Sequence, residues 1–110
     1  MSLDASLDAT ITDDGVTFEL IVTNTGSSPA DLSFPNALKA DFAVLDGDSE
    51  IWRFSDGKMF AQMISSETID AGTSATYRGL WEEPKSGTYT AVGTLEARNR
   101  NAEARTQFSV

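Results

Sequence analysis

The chain has 110 residues, 40% of them hydrophobic, and 17 acidic residues against 8 basic ones leave a net charge of −9. That length suits one two-layer domain, spanning residues 1–110, with one core. The absence of Cys and His excludes disulfide frameworks, Ser-His-Asp and Cys-His catalysis and His-based zinc sites. The acidic balance disfavours nucleic acid and anionic membranes as partners.

No segment nears the run of about 20 apolar residues that spans a bilayer. The start, MSLDASLDAT, has neither the basic nor the apolar region of a secretory signal, so a cytoplasmic location is expected. Met1-Ser2-Leu3 reads equally as native sequence or as a cloning remnant. Plentiful Asp, Ala and Thr beside only three lysines, Lys39, Lys58 and Lys85, point to a high-salt habitat. There, screening over about 3 Å at 1 M makes the self-repulsion tolerable. An ordinary acidic protein is the alternative.

Period-two alternation dominates the chain. Ala5, Leu7, Ala9 and Ile11 alternate with polar residues in a first strand, and Asp13-Asp14-Gly15 turns it into a second carrying Val16, Phe18, Leu20 and Val22. Asn24 to Pro29 breaks that strand, and a short one follows from Ala30 to Phe34. Asp41 to Leu45 and Glu50 to Phe54 flank the Asp46-Gly47-Asp48-Ser49 hairpin turn, and Ser55-Asp56-Gly57 turns the chain again. Lys58 to Ser65 is ambiguous: Met59, Phe60 and Met63 have helix-like spacing, yet eight residues between turns suit an ordered loop or a 3₁₀ turn equally. Strands follow from Glu67 to Ile69, Ala75 to Trp81, Tyr89 to Leu95 and Ala102 to Val110. Turns every 8–12 residues predict an all-β, immunoglobulin-like, two-sheet antiparallel sandwich of about eight strands.

Few constellations could carry chemistry. The carboxylate pairs Asp13/Asp14, Asp46/Asp48 and Glu82/Glu83 sit in turn-like segments beside Gly or Pro, where capping of local amides outweighs acid–base work. Asp46, Asp48 and Glu50 mimic the start of a calcium loop. The glycine is misplaced and the distant bidentate Glu is missing, so no metal and no cofactor are expected. Arg98 and Arg100 read as a solvated tip balanced by Glu96 and Glu103. Trp52 reads as the core tryptophan of a sandwich. Met59, Phe60 and Met63 read either as a flexible apolar partner surface or as residues tucked onto the rim.

An ordered set of short motifs resembles the intracellular proteinase inhibitors of the BsuPI type. Val22-Thr23-Asn24-Thr25-Gly26 is similar to the family's V-x-N-x-G/T turn, Leu32-Ser33-Phe34-Pro35 to its L-x-F-P strand, and Asp41-Phe42-Ala43-Val44 to its D-F-x-V strand. The most specific block is Ile51-Trp52-Arg53-Phe54-Ser55-Asp56-Gly57-Lys58-Met59-Phe60. Ala71 to Tyr77 and Gly87 to Gly93 continue the likeness, which covers roughly residues 15–97.

The resemblance implies an immunoglobulin-like sandwich that is no enzyme and that inhibits an intracellular serine protease of the subtilisin type; a monomer is expected. The motif residues Asp41, Phe42, Trp52, Arg53, Ser55, Gly57 and Phe60 are expected to be structural. Subtilisin-like clefts accept apolar and aromatic side chains, so the loop of Lys58, Met59, Phe60, Ala61, Gln62 and Met63 is the candidate contact, with Met59 and Phe60 at its centre. Glu82-Glu83-Pro84-Lys85 ranks second. The alternatives are an immunoglobulin-like interaction module with no protease partner and, behind it, an enzyme or sugar-binding domain that stacks its ligand on Trp52 or Trp81.

Overall fold

The computed structural model describes residues 3–110 and holds nine antiparallel strands; Met1 and Ser2, and with them the origin of the first residues, lie outside the described residues. The strands are β1 (Leu3–Thr12), β2 (Gly15–Asn24), β3 (Ala30–Phe34), β4 (Ala40–Asp46), β5 (Ser49–Arg53), β6 (Ser65–Ile69), β7 (Ser74–Trp81), β8 (Thr88–Leu95) and β9 (Glu103–Ser109). One sheet has the order β1-β2-β7 and the other β5-β4-β8-β9. Facing each other, they form the immunoglobulin-like sandwich that the alternation predicts.

The nine strands agree with the about eight expected; one detail differs, in that β3 and β6 form a two-stranded ribbon of their own. The ribbon continues the β2–β7 ladder past a corner: pairing runs to Thr23↔Ser74 and resumes at Ala30↔Ile69. Asn24 holds that corner. Its fully buried amide donates to the carbonyls of Ser28 at 2.8 Å and Ile69 at 2.9 Å, while its Oδ1 accepts from the Gly26 amide at 2.9 Å. The side chain thus supplies bonds that the interrupted ladder cannot.

Phe18 centres the core, its ring 6.0 Å from Phe42 in the opposite sheet, 5.9 Å from Trp52 and 5.5 Å from Phe108. The buried tryptophan is Trp81, 7% exposed; Trp52 is half-buried and stacks on it with centroids 5.9 Å apart. Gly79, paired with Phe18, leaves room for the Phe42 ring: a Cβ there would stand 2.6 Å from Phe42 Cδ2. Gly79→Ala is therefore expected to lower stability by about 1–3 kcal/mol, the usual range for overpacking. Urea unfolding checks it, and a change under half a kcal/mol would show that Phe42 moves aside freely.

One side of the sandwich is closed where β1 packs beside β9. On the other side β5 and β7 are edge strands. That side positions the site, because the chain leaving β5 crosses it to reach β6.

Candidate functional site

The crossing segment is rooted in a polar knot. Asp41 on β4 is 4% exposed, yet its carboxylate has four donors. Oδ1 accepts from the amides of Phe42 at 2.9 Å and Ser55 at 3.1 Å; Oδ2 accepts from Arg53 Nη1 at 3.0 Å and from the Ser55 hydroxyl at 2.7 Å. The far side of the guanidinium donates to both Glu50 oxygens, at 2.6 and 3.3 Å. Glu50 and Asp41 together hold Arg53 charged, its pKa pushed above an already high value. A buried charge persists only when so paired.

Glu96 stands at the margin of this knot, its amide donating to the Lys39 carbonyl at 2.9 Å. Burial first and the Asp41 charge second raise its pKa, with Arg53 opposing them. A carboxyl whose folded pKa is raised loses stability as pH climbs through that value and costs nothing below its unfolded value of about 4.3. Glu96→Gln is thus expected to stabilise the protein at pH 7 by less than about 1 kcal/mol, because solvent screens this partly exposed group. The gain should vanish near pH 4 in thermal melts. An equal gain at both pH values would assign it to something other than charge.

Beyond the knot, Gly57 takes a φ of 72° in the turn, the left-handed backbone that glycine adopts without strain. The Asp56 amide donates to Arg53 O at 3.1 Å and the Lys58 amide to Ser55 O at 3.2 Å. Lys58 folds back, with Nζ donating to Phe54 O at 2.6 Å and lying 4.1 Å from the Phe54 ring centroid. Residues 58–64 then run without helix, turn or sharp bend. Of the readings open to Lys58–Ser65, the ordered loop is the one adopted, and Ser65 already belongs to β6.

The loop is tied down again at its middle. Phe60 is half-buried in an open groove of about 360 Å³ that it shares with Ala37–Ala40, Phe54 and Thr76–Arg78. The Ala61 carbonyl accepts from the Ala37 amide at 2.9 Å. Tyr77 walls the groove, its hydroxyl donating to Glu67 at 3.0 Å, and Glu67 also pairs with Lys39. Burial and the Glu67 charge push the Tyr77 pKa upward. Met59 is 99% exposed, Met63 65% and Ile64 73%; Ala61 and Gln62 are exposed too. The sequence pairs Met59 with Phe60 as contact residues, whereas the structure turns Met59 outward and Phe60 toward the scaffold.

The structure also brings together two loops that are distant in the chain. Lys58 borders a recess of about 270 Å³ with Trp52, Leu80, Trp81, Glu82 and Glu83, so the first and second candidate loops adjoin. Asp46 and Asp48 lie at the β4–β5 turn, and Glu50 is engaged by Arg53. Among the described residues no cluster of three carboxylates could hold a metal ion. The Arg98–Arg100 tip is docked by Asn99, whose Oδ1 accepts from the Ser33 amide and whose Nδ2 donates to Asp31 O, both at 2.9 Å. The sequence offers no signal for that bond, which links residues more than 60 positions apart.

The sheets, their pairing and the aromatic core define an immunoglobulin-like β-sandwich. Among solved structures, the chain is similar to the CARDB domain of a Pyrococcus furiosus protein, crystallised in complex with di-metal ions. The TM-score is 0.51 at 13% identity, covering 99% of this chain and 92% of that one, a likeness of fold alone. No curated protein sequence matches. Residues 3–100 match the intracellular proteinase inhibitor family, BsuPI, and the chain belongs to that family. Asp41, Arg53 and Ser55, which stand in the strings that carry the sequence resemblance, form the knot together with Glu50.

Proposed function

We propose that this chain is a non-catalytic, single-domain inhibitor that works in the cytoplasm as a monomer and occludes a subtilisin-type serine protease through the Lys58–Met63 loop. The family supports a proteinase as the partner; its subtilisin type is proposed here. The observation that carries the choice of loop is where the exposed apolar side chains stand. Of the five large exposed ones among the described residues, Met59 and Met63 lie in this loop and Ile64 directly follows it. An inhibitor contact buries about 1,600 Å² in total. A loop already fastened by Lys58, Phe60 and Ala61 loses little further freedom on docking, which favours affinity.

The test is residual activity of an intracellular subtilisin-like protease titrated with the chain at low and high salt. Stoichiometric loss of activity, with the chain recovered uncut, supports the reading. No inhibition in either salt by a folded chain sinks it and leaves an immunoglobulin-like interaction module without a protease partner.

A further inference from the structure

The loop presents three exposed apolar side chains, and their tethers distinguish them. Met63 and Ile64 lie past the last anchor, between the Ala61 carbonyl bond to Ala37 and the start of β6. Met59 alone stands between two anchors. On its amino side Lys58 is held by the Phe54 carbonyl and ring; on its carboxyl side half-buried Phe60 lines the groove and the Ala61 carbonyl is bonded to the Ala37 amide. Between these fixed neighbours Met59 is 99% exposed, an unbranched apolar side chain with no contact to give up on entering a partner. No residue from Gly57 to Ser66 is acidic in a chain of net charge −9, so the segment brings no negative charge into an apolar cleft.

Resting on the protease reading above, we propose that Met59 fills the primary specificity pocket of a serine protease selective for large apolar side chains, and that the Met59–Phe60 peptide bond resists net cleavage because both its ends stay fastened to the sandwich. The chemistry balances without another reactant. The protease's serine oxygen bonds to the Met59 carbonyl carbon, the C–N bond to Phe60 breaks, and the serine proton passes to the Phe60 amine. That amine stays close, since half-buried Phe60 lines the groove and the next residue's carbonyl, Ala61 O, accepts from the Ala37 amide. It faces the ester at high effective concentration, so re-formation of the peptide and release of the serine outrun attack by water. Phe60 is a positioning residue in this scheme and Met59 the contact residue.

The experiment measures inhibition constants and the fate of the chain together, using an intracellular subtilisin-like protease and intact protein. Met59→Asp is expected to weaken inhibition about 100-fold or more, as for a side chain central to an interface. Met59→Leu should stay within about threefold, and Met63→Asp should lose less than Met59→Asp. Phe60→Ala should bind within about tenfold of the unchanged chain yet be cut at Met59–Phe60 at least about tenfold faster, because its amine is no longer held. Circular dichroism confirms that each variant is folded, and mass spectrometry locates the cut. Full inhibition by Met59→Asp, a larger loss from Met63→Asp, cutting at another bond, or unchanged cutting of Phe60→Ala overturns the assignment while leaving the protease reading in place. A chain that inhibits no such protease overturns both.

Discussion

Replacing Arg53 with methionine is expected to lower unfolding free energy by about 3 kcal/mol, the lower end for breaking a buried ion pair because the guanidinium is partly solvated. The loss arises on the Asp41 side. Its carboxylate is 4% exposed and keeps the Phe42 and Ser55 donors, but it loses its cation and one of its four hydrogen bonds. Ser55→Ala removes only the hydroxyl bond at 2.7 Å, and about 1–1.5 kcal/mol is expected. Because these groups share one carboxylate, the double variant Arg53→Met/Asp41→Asn should cost less than the sum of its parts. Urea unfolding gives the energies, and amide hydrogen exchange at Ser55 reports whether the loop root opens. A loss under 1 kcal/mol for Arg53→Met, with Ser55 exchange unchanged, would show that the knot does not hold the loop.

The same reasoning reaches further for Asn24. Asn24→Ala is expected to cost about 3 kcal/mol, since the Gly26 amide and the Ser28 and Ile69 carbonyls lose their partner at a fully buried corner. Asn24→Asp should be worse at neutral pH. Its oxygen still serves the Gly26 amide, but the second oxygen meets two carbonyls in place of the amide that donated to them. The bonds from Asn24 N to Thr73 O and from Gly72 N to Asn24 O, both 2.9 Å, are main-chain and survive, so the corner loosens rather than disappears. Thermal melts order the variants, and Asp above Ala in stability would disprove the donor role of the amide.

Neither residue announces this in the chain. Asn24 reads as the start of a strand break, and in the structure it is the last residue of β2 and the fastener of the corner. Its partner Ile69 O is 45 positions away, beyond any local signal. Asp41, Arg53 and Ser55 appear in the motifs that carry the family resemblance, but only the pairing of β4 with β5 brings Arg53 and then Ser55 opposite the Asp41 carboxylate.

What the sequence by itself determined is the local layer: period-two alternation and the turn residues between segments placed the strands to within a few residues, and Asp-Gly pairs placed the turns at Asp14-Gly15, Asp46-Gly47 and Asp56-Gly57. These follow from side-chain alternation and backbone preference, which act between neighbours. Only the tertiary structure decided that Trp81 rather than Trp52 is the more buried tryptophan, that β3 and β6 stand apart as a ribbon, and that Phe60 turns inward while Met59 turns out. Each of those depends on which surfaces meet across the sandwich. An apolar side chain in a loop has no preferred direction until the groove between β5 and β7 exists to receive one of them.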